Sequence, residues 1–185
     1  VLRRAETGSI ADQVLTPGDI RGSALVLTSD GWFAAHQSLF DPGVQYDVIV
    51  AGTRYPITAS TQDPYTGLVF IRTDARNLSP VQLSQDIPEQ GELVFTNDAH
   101  GATGHTFVPM YVQRSQYHQV ATLADYAQST AELNELMQLT TGEQQRYRSE
   151  LAFFNVRGQV IGFGAQDETE ILAIPARHVN LSFEQ

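Results

Sequence analysis

The stretch YRSELAFFNVRGQVIGF, residues 147–163, decides how the rest of the chain is interpreted. An apolar run, Leu151 to Phe154, is followed by Asn155 and then by RGQVIGF. Two apolar runs separated by a short stretch with Asn and Gly predict a strand, a turn and a second strand. A serine, Ser149, stands just before the first run. The chain therefore places a candidate nucleophile directly upstream of a predicted β-hairpin.

Composition limits the classes of function. The chain has 185 residues, of which 42% are apolar, so it can bury a substantial core. A formal net charge of −10 argues against nucleic acid, whose phosphates require a basic surface. The absence of cysteine excludes disulfides, thiolate zinc sites and cysteine nucleophiles. No apolar run approaches the roughly 18 residues of a membrane-spanning helix, so no membrane span is expected.

Short apolar runs with turn residues between them predict an all-β fold. These runs include SALVLTS, YDVIVAG, GLVFIRT, GELVFTN, FVPMYVQRS and EILAIPA. A polar, proline-containing segment at residues 78–92 separates the strands into two sets. We therefore predict two β-barrels, at residues 22–88 and 89–185, after an N-terminal lead-in segment at residues 1–21.

One segment, LADYAQSTAELNELMQL at residues 123–139, has a different pattern. It lacks Gly and Pro, and its apolar residues recur at helical spacing, which predicts an amphipathic helix. Its apolar stripe would dock on the second barrel or present a face to a partner. The residues of that candidate partner face are Leu133, Leu136 and Met137.

Four motifs together resemble the trypsin-like serine proteases of the HtrA (DegP) type. GSALVLTSDGW at residues 22–32 matches the family's first strand and turn, and DPYTGLV at residues 63–69 matches Asp-Pro-x-Thr-Asp-Leu-Ala. The stretch at residues 147–163 matches Gly-Asn-Ser-Gly-Gly-Pro-Leu-x-Asn-x-x-Gly-x-Val-Ile-Gly, and LAIP at residues 172–175 matches the closing strand. The resemblance implies two six-stranded antiparallel barrels.

The same alignment implies a degenerate catalytic triad. Counted without gaps from the SDGW turn, Ser38 takes the position of the catalytic His, and Gly67 takes that of the catalytic Asp. Only Ser149, at the nucleophile position, keeps the residue type of the family. A serine hydroxyl is a weak nucleophile without an adjacent base, and glycine has no carboxylate to orient an imidazole.

The oxyanion hole is expected to be degraded as well. Tyr147 stands where the family has the glycine two residues before the nucleophile, and its Cβ disfavours the conformations that glycine allows. Glu150 and Leu151 replace the two glycines after the serine. A carboxylate at Glu150 would oppose a negatively charged intermediate.

One alternative keeps an active hydrolase. In AAHQS, residues 34–38, a two-residue shift would place His36 at the catalytic position. His36 Nε2 would then need to reach Ser149 Oγ at about 2.6–3.2 Å. Asp63 is the nearest acid to Gly67, but an Asp before Pro more often closes a turn.

The sequence therefore predicts a proteolytically inactive trypsin-like domain that binds a protein or peptide partner. We expect no cofactor. We also expect no metal, because His100 and His105 in their glycine-rich loop lack a clear third and fourth ligand. The family resemblance implies a location outside the cytoplasm, periplasmic or membrane-anchored. A purely structural domain of a larger protein is the remaining possibility.

Overall fold

The computed structural model describes residues 2–4, 20–63, 66–98, 106–117, 136–140, 152–165 and 170–179. These residues form strands and only two short 3₁₀ helices, at Gln37–Leu39 and Ala176–His178. The predicted all-β class is confirmed. No helix within the described part of the chain is both long and apolar enough to cross a membrane. The strands are β1 (Leu2–Arg4), β2 (Ile20–Gly22), β3 (Leu25–Val26), β4 (Trp32–His36), β5 (Tyr46–Val50), β6 (Thr53–Pro56), β7 (Ala59–Gln62), β8 (Leu68–Arg72), β9 (Leu93–Asp98), β10 (Thr106–Tyr117), β11 (Leu136–Thr140), β12 (Ala152–Phe154), β13 (Val160–Ala165) and β14 (Ile171–Pro175).

The chain forms two compact units. Among the described residues, the first unit ends at Val81 and the second begins at Gln82. This division falls inside the polar segment at residues 78–92. The sequence placed the boundary later, between residues 88 and 89.

The first unit contains two four-stranded antiparallel sheets, with strand orders β2-β1-β5-β6 and β3-β4-β8-β7. One apolar core contacts both sheets, because every second residue along β4, β5 and β8 points to the same face, and these residues are apolar. Leu2 lies in this core and is fully buried. The predicted lead-in therefore contributes a core strand, which pairs with both β2 and β5. The core residues are Leu2, Phe33, Ala35, Leu39, Tyr46, Val48, Val69, Ile71 and Ala75.

The two sheets of the first unit are connected at two corners. The chain passes from β2 to β3 through Ser23 and Ala24, and from β6 to β7 through Ile57 and Thr58. At the second corner, the Thr58 N–H donates to Arg72 O at 2.9 Å. Each corner lets one nearly continuous chain segment pair with both sheets.

The second unit is a closed barrel of six antiparallel strands, in the order β10-β11-β14-β13-β12-β9. Its interior is apolar and contains buried residues from all six strands. Closure gives each of the six described strands a neighbour on both sides, so the barrel has no edge strand. The prediction of a six-stranded barrel is confirmed for this unit. The interior residues are Val94, Met110, Val112, Met137, Leu139, Phe153, Ile161 and Ala173.

The helix predicted at residues 123–139 is wrong over its last four residues. Residues 136–139 belong to β11, which pairs with β10 on one side and β14 on the other. The helical spacing of the apolar residues gave a false signal, because pairing with two neighbouring strands overrides local propensity. Residues 123–135 lie outside the described part of the chain.

The predicted hairpin is present as β12 and β13. The buried Asn155 holds its turn: its Oδ1 accepts from the N–H groups of Arg157 and Gln159, both at 3.0 Å. Its Nδ2 also donates to Gln159 Oε1 at 2.9 Å. Gly158 supplies the positive φ of 76° that the turn requires. The Asn-x-x-Gly pattern of the sequence therefore has a local structural cause.

Gly162 on β13 is expected to tolerate no side chain. A Cβ there would lie 2.5 Å from Met137 Cε and 2.8 Å from the backbone oxygen of Ile174. We predict that Gly162→Ala lowers the free energy of unfolding by about 1–3 kcal/mol through overpacking. Urea denaturation of the wild type and the variant measures this. A loss below about 0.5 kcal/mol, the usual scatter for a harmless substitution, would contradict this packing.

Candidate functional site

The pairing of β4 with β8 brings the first two family-like motifs together in the first unit. The register runs from Trp32 opposite Arg72 to His36 opposite Leu68. The SDG turn before β4 needs its glycine, because Gly31 has a φ of 106° and a Cβ there would lie 2.8 Å from Ala75 O. The structure thus places residues 36–38 beside residue 67.

His36 is at the end of β4 and caps the 3₁₀ helix that follows. Its side chain is buried, with 5% of its surface exposed. His36 Nδ1 accepts from the Ser38 N–H at 3.3 Å and lies 3.0 Å from Ser38 Oγ. Since a backbone N–H can only donate, Nδ1 is the acceptor nitrogen, and the neutral ring carries its proton on Nε2.

Ser38 lies in the middle of the 3₁₀ helix and is exposed. The sequence assigned it to the position of the catalytic His. Its backbone and hydroxyl both contact His36 Nδ1. The two residues that the alternative alignments place at the catalytic His position therefore contact each other, and His36 caps the 3₁₀ helix that contains Ser38.

Gly67 adjoins the imidazole of His36. Its φ is 69°, and its carbonyl accepts from the Gln37 N–H at 2.9 Å. A Cβ at this position would lie 3.4 Å from His36 Nε2. The position that the family resemblance assigns to a carboxylate therefore faces a histidine ring, but it carries no side chain.

Asp63 closes the turn before Gly67, as its position before Pro predicted. Its Oδ2 accepts from Thr66 Oγ at 2.8 Å, and its N–H donates to Leu68 O at 2.8 Å. No hydrogen bond joins Asp63 to His36 among the described residues. The Asp63 carboxylate therefore stabilises its own loop through Thr66.

Two glutamines at this site carried no signal in the sequence. Gln62 Nε2 donates to Gln37 Oε1, which joins β7 to the 3₁₀ helix. Gln37 Nε2 would lie 3.4 Å from a Cβ of Gly67. Only their positions beside His36 and Asp63 in the sequence could have drawn attention to them.

Burial lowers the pKa of His36 below the ordinary imidazole value of 6.5. The cause is desolvation, which disfavours the charged ring. The neutral form therefore predominates at neutral pH in the folded protein. This agrees with a ring nitrogen that accepts a backbone hydrogen bond.

Several predicted site residues lie outside the described part of the chain, namely Ser149, Tyr147 and Leu133. Leu136 and Met137 are described, and both are buried in β11, with 3% and 0% of their surface exposed. The prediction that they present a partner face is wrong, because the strand packs them into the second unit. Within the described ranges, no group of three or more His, Cys, Asp or Glu residues could hold a metal ion.

Comparison with solved structures identifies the fold. The HtrA-type protease AlgW, in a structure with a decapeptide, superposes with a TM-score of 0.65 and 17% identity, over 83% of this chain and 47% of AlgW. The chain has the fold of HtrA-type trypsin-like serine proteases. Deg5 gives a TM-score of 0.63 with 16% identity, over 94% of this chain and 81% of Deg5. The active form of the Rv3671c protease from M. tuberculosis superposes with a TM-score of 0.61 and 15% identity, over 84% of this chain and 68% of the Rv3671c chain.

The likeness to the HtrA-type fold lies in the structure more than in the sequence. No family model and no curated protein matches the sequence. The present chain spans about half the length of the AlgW chain. At these identities the comparisons establish the fold alone.

The depressed pKa of His36 predicts a measurable pH dependence. The unfolded chain binds a proton below about pH 6.5 while the folded ring resists it, so stability falls as the pH drops through this value. We predict that His36→Asn, which keeps a capping oxygen near the place of Nδ1, reduces the stability lost between about pH 7.5 and 5.5. Urea denaturation at both pH values tests this. An equal loss in wild type and variant would contradict the assignment.

Proposed function

We propose that this chain is a proteolytically inactive trypsin-like domain that acts as a protein- or peptide-binding module. The observation that carries the proposal is the contact between His36 and Gly67. At the position that a catalytic carboxylate takes in the family motif, a buried imidazole faces a residue without a side chain. A histidine base in this protease mechanism needs a carboxylate to hold its tautomer.

The hydrogen bond at Nδ1 further disfavours catalysis by His36. In the Ser-His-Asp mechanism, Nδ1 donates to the carboxylate and Nε2 accepts the serine proton. Here Nδ1 accepts from the Ser38 N–H, so Nε2 holds the proton of the neutral ring. A ring in this tautomer has no free lone pair at Nε2, so its proton would first have to move to Nδ1, which accepts from the Ser38 N–H. Acceptance of the serine proton at Nε2 would then make the ring cationic, and the buried environment opposes that charge.

The alternative is an active serine endopeptidase that uses Ser149 with His36 as its base. It would require a serine hydroxyl near Nε2 and a reversal of the imidazole tautomer. The fold is compatible with this activity, because the AlgW and Rv3671c proteases share it. The two functions are distinguished by whether Ser149 is chemically activated.

We propose that the first unit is also a β-barrel, so that the chain contains two barrels. The two corners of the first unit support it, because β2 with β3 and β6 with β7 each connect one sheet to the other. Counted as continuous segments, six strands surround the first core. The family resemblance likewise supports a location outside the cytoplasm.

A row of apolar side chains on the second unit supports a binding role. Phe107, Pro109 and Tyr111 alternate along β10 with more buried residues, and Phe107 and Tyr111 are 65% and 49% exposed. Phe95 pairs with Pro109, and Leu93 with Tyr111, on the neighbouring strand β9. Exposed apolar residues that adjoin one another on a protein surface are typical of an interaction site. A peptide with apolar side chains would bury it.

A fluorophosphonate probe tests the loss of catalysis directly, because it labels activated serines without a known substrate. We expect no labelling of the wild type under conditions in which an active trypsin-like protease is labelled. Ser149→Ala serves as the matched control. Labelling that is present in the wild type and lost in Ser149→Ala would overturn the proposal, and loss in His36→Asn as well would identify the base.

Selection from a random peptide library on the immobilised protein tests the apolar row. We predict that Phe107→Lys or Tyr111→Lys weakens binding of selected peptides at least about tenfold, which corresponds to 1.4 kcal/mol. Val156→Lys is the control, since Val156 is a comparably exposed apolar residue, 68% exposed, at the β12–β13 turn. Selected peptides that are insensitive to both row variants would exclude this row as their binding surface.

A further inference from the structure

The strand β7 is at the end of its sheet and has an exposed outer edge. It pairs with β8 on one side, from Ala59 opposite Arg72 to Gln62 opposite Val69. Among the strands that the structure describes, none pairs with its other side. All four residues of β7 are exposed, as is Thr58 before them. The outer edge of β7 is therefore accessible to another chain.

Two residues of β7 direct their backbone polar groups toward this outer edge. The Asp63 N–H donates to Leu68 O at 2.8 Å, and this bond continues the register of β7 with β8. In an antiparallel pair, residues that bond to the partner strand alternate with residues whose polar groups point away from it. Thr61 therefore bonds to β8, whereas the N–H and C=O groups of Ser60 and Gln62 point outward.

The other three end strands of the first unit each have a feature that hinders pairing with a further strand. The strand β2 carries the ion pair of Arg21 with Asp41. The strand β3 is bonded by a following segment, since the Val81 N–H donates to Val26 O at 2.9 Å. The strand β6 ends in Pro56, which has no N–H. Charges, proline and covering segments commonly protect strand edges, but β7, with the sequence ASTQ, has neither a charge nor a proline.

We propose that β7 binds an extended peptide or protein segment, which adds a strand to the outer edge of its sheet. The main chain of the ligand pairs with the N–H and C=O groups of Ser60 and Gln62. Because these bonds are made by backbone atoms, the ligand must be extended and lack proline at the residues that face β7. A neutral or basic segment is favoured, since the protein has a formal net charge of −10.

A second copy of the chain fits this edge less well than a peptide does. A stable interface between two proteins buries about 1,200–2,000 Å² in total, and an edge of four residues supplies only a small part of that area. Two copies would also each bring a formal net charge of −10. In strand addition, the main-chain hydrogen bonds themselves provide affinity for a peptide.

The proposal rests on the proposed role of the chain as a peptide-binding module, but it uses a surface other than the apolar row of β10. Amide hydrogen exchange of the free protein tests it independently of that role. After correction for intrinsic rates, we expect the amides of Ser60 and Gln62 to exchange faster than that of Thr61, which bonds to β8. Equal protection of all three amides would show that the edge is already covered and would overturn the proposal.

Peptides selected from a random linear library on the immobilised protein provide the probe. In an added strand only alternate N–H groups of the peptide face β7, so N-methylation is expected to weaken binding at every second residue. Addition of such a peptide should also slow the exchange of the Ser60 and Gln62 amides. If all selected peptides respond to Phe107→Lys and none protects these two amides, the β7 site is wrong while the proposed function stands.

Ser60→Pro and Ser60→Ala form a matched pair of variants. Ser60→Pro removes the outward N–H but no bond to β8, and proline is tolerated on edge strands. Ser60→Ala removes only the hydroxyl. We expect Ser60→Pro to raise the Kd of peptides bound at β7 at least about threefold, the effect of one lost hydrogen bond, and Ser60→Ala to leave it unchanged. Equal Kd values for the two variants would contradict the site.

Two further measurements complete the test. If Ser60→Pro fails to fold, the N-methylation series on the wild type decides, and the absence of an alternating pattern would overturn the proposal. Analytical ultracentrifugation detects the competing occupant. A concentration-dependent dimer of the wild type that is absent in Ser60→Pro would assign the edge to a second copy instead of a peptide.

Discussion

The first unit depends on the antiparallel pairing of β4 with β8. Phe33 pairs with Ile71 and Ala35 with Val69, and all four side chains lie in one core. A shift of one residue would turn these side chains away from the core, so burial fixes the register. The same register sets His36 opposite Leu68 and brings Gly67 beside the imidazole. The geometry of the candidate site is thus a by-product of core packing and would persist with or without catalysis.

Much of the fold could be predicted from local patterns. Alternating or continuous apolar runs predicted the strands, and Asn155 with Gly158 predicted the β12–β13 turn, because these signals act over a few residues. The exception is β11, where the spacing of Leu136 and Met137 matched a helix. Their conformation is set by β10 and β14, which lie far away in the sequence. The corners that join the two sheets of the first unit could not be predicted either, since no local sequence pattern indicates which strands will pair.

The candidate site was predictable only in part. Alignment of motifs drew attention to Ser38, Gly67 and His36, and the structure places the three together. The alignment of motifs could not predict that Ser38 would donate to His36 Nδ1, because this bond arises from the 3₁₀ helix that begins at Gln37. Gln37 and Gln62 belong to no motif, and only the folded sheet brings their amides into contact. Side chains whose role comes from long-range pairing leave no pattern in the sequence.

Closure of the second unit has a consequence for how the chain folds. β9 pairs with β10 nearby in the sequence, but also with β12, where Phe95 lies opposite Phe154. β9 and β12 are far apart in the sequence, and contacts between such distant segments slow folding. During synthesis, the outer edge of β9 therefore emerges long before its partner. Until β12 arrives, that edge is an open template for pairing with another chain, which makes the folding intermediate more prone to aggregation than the finished barrel.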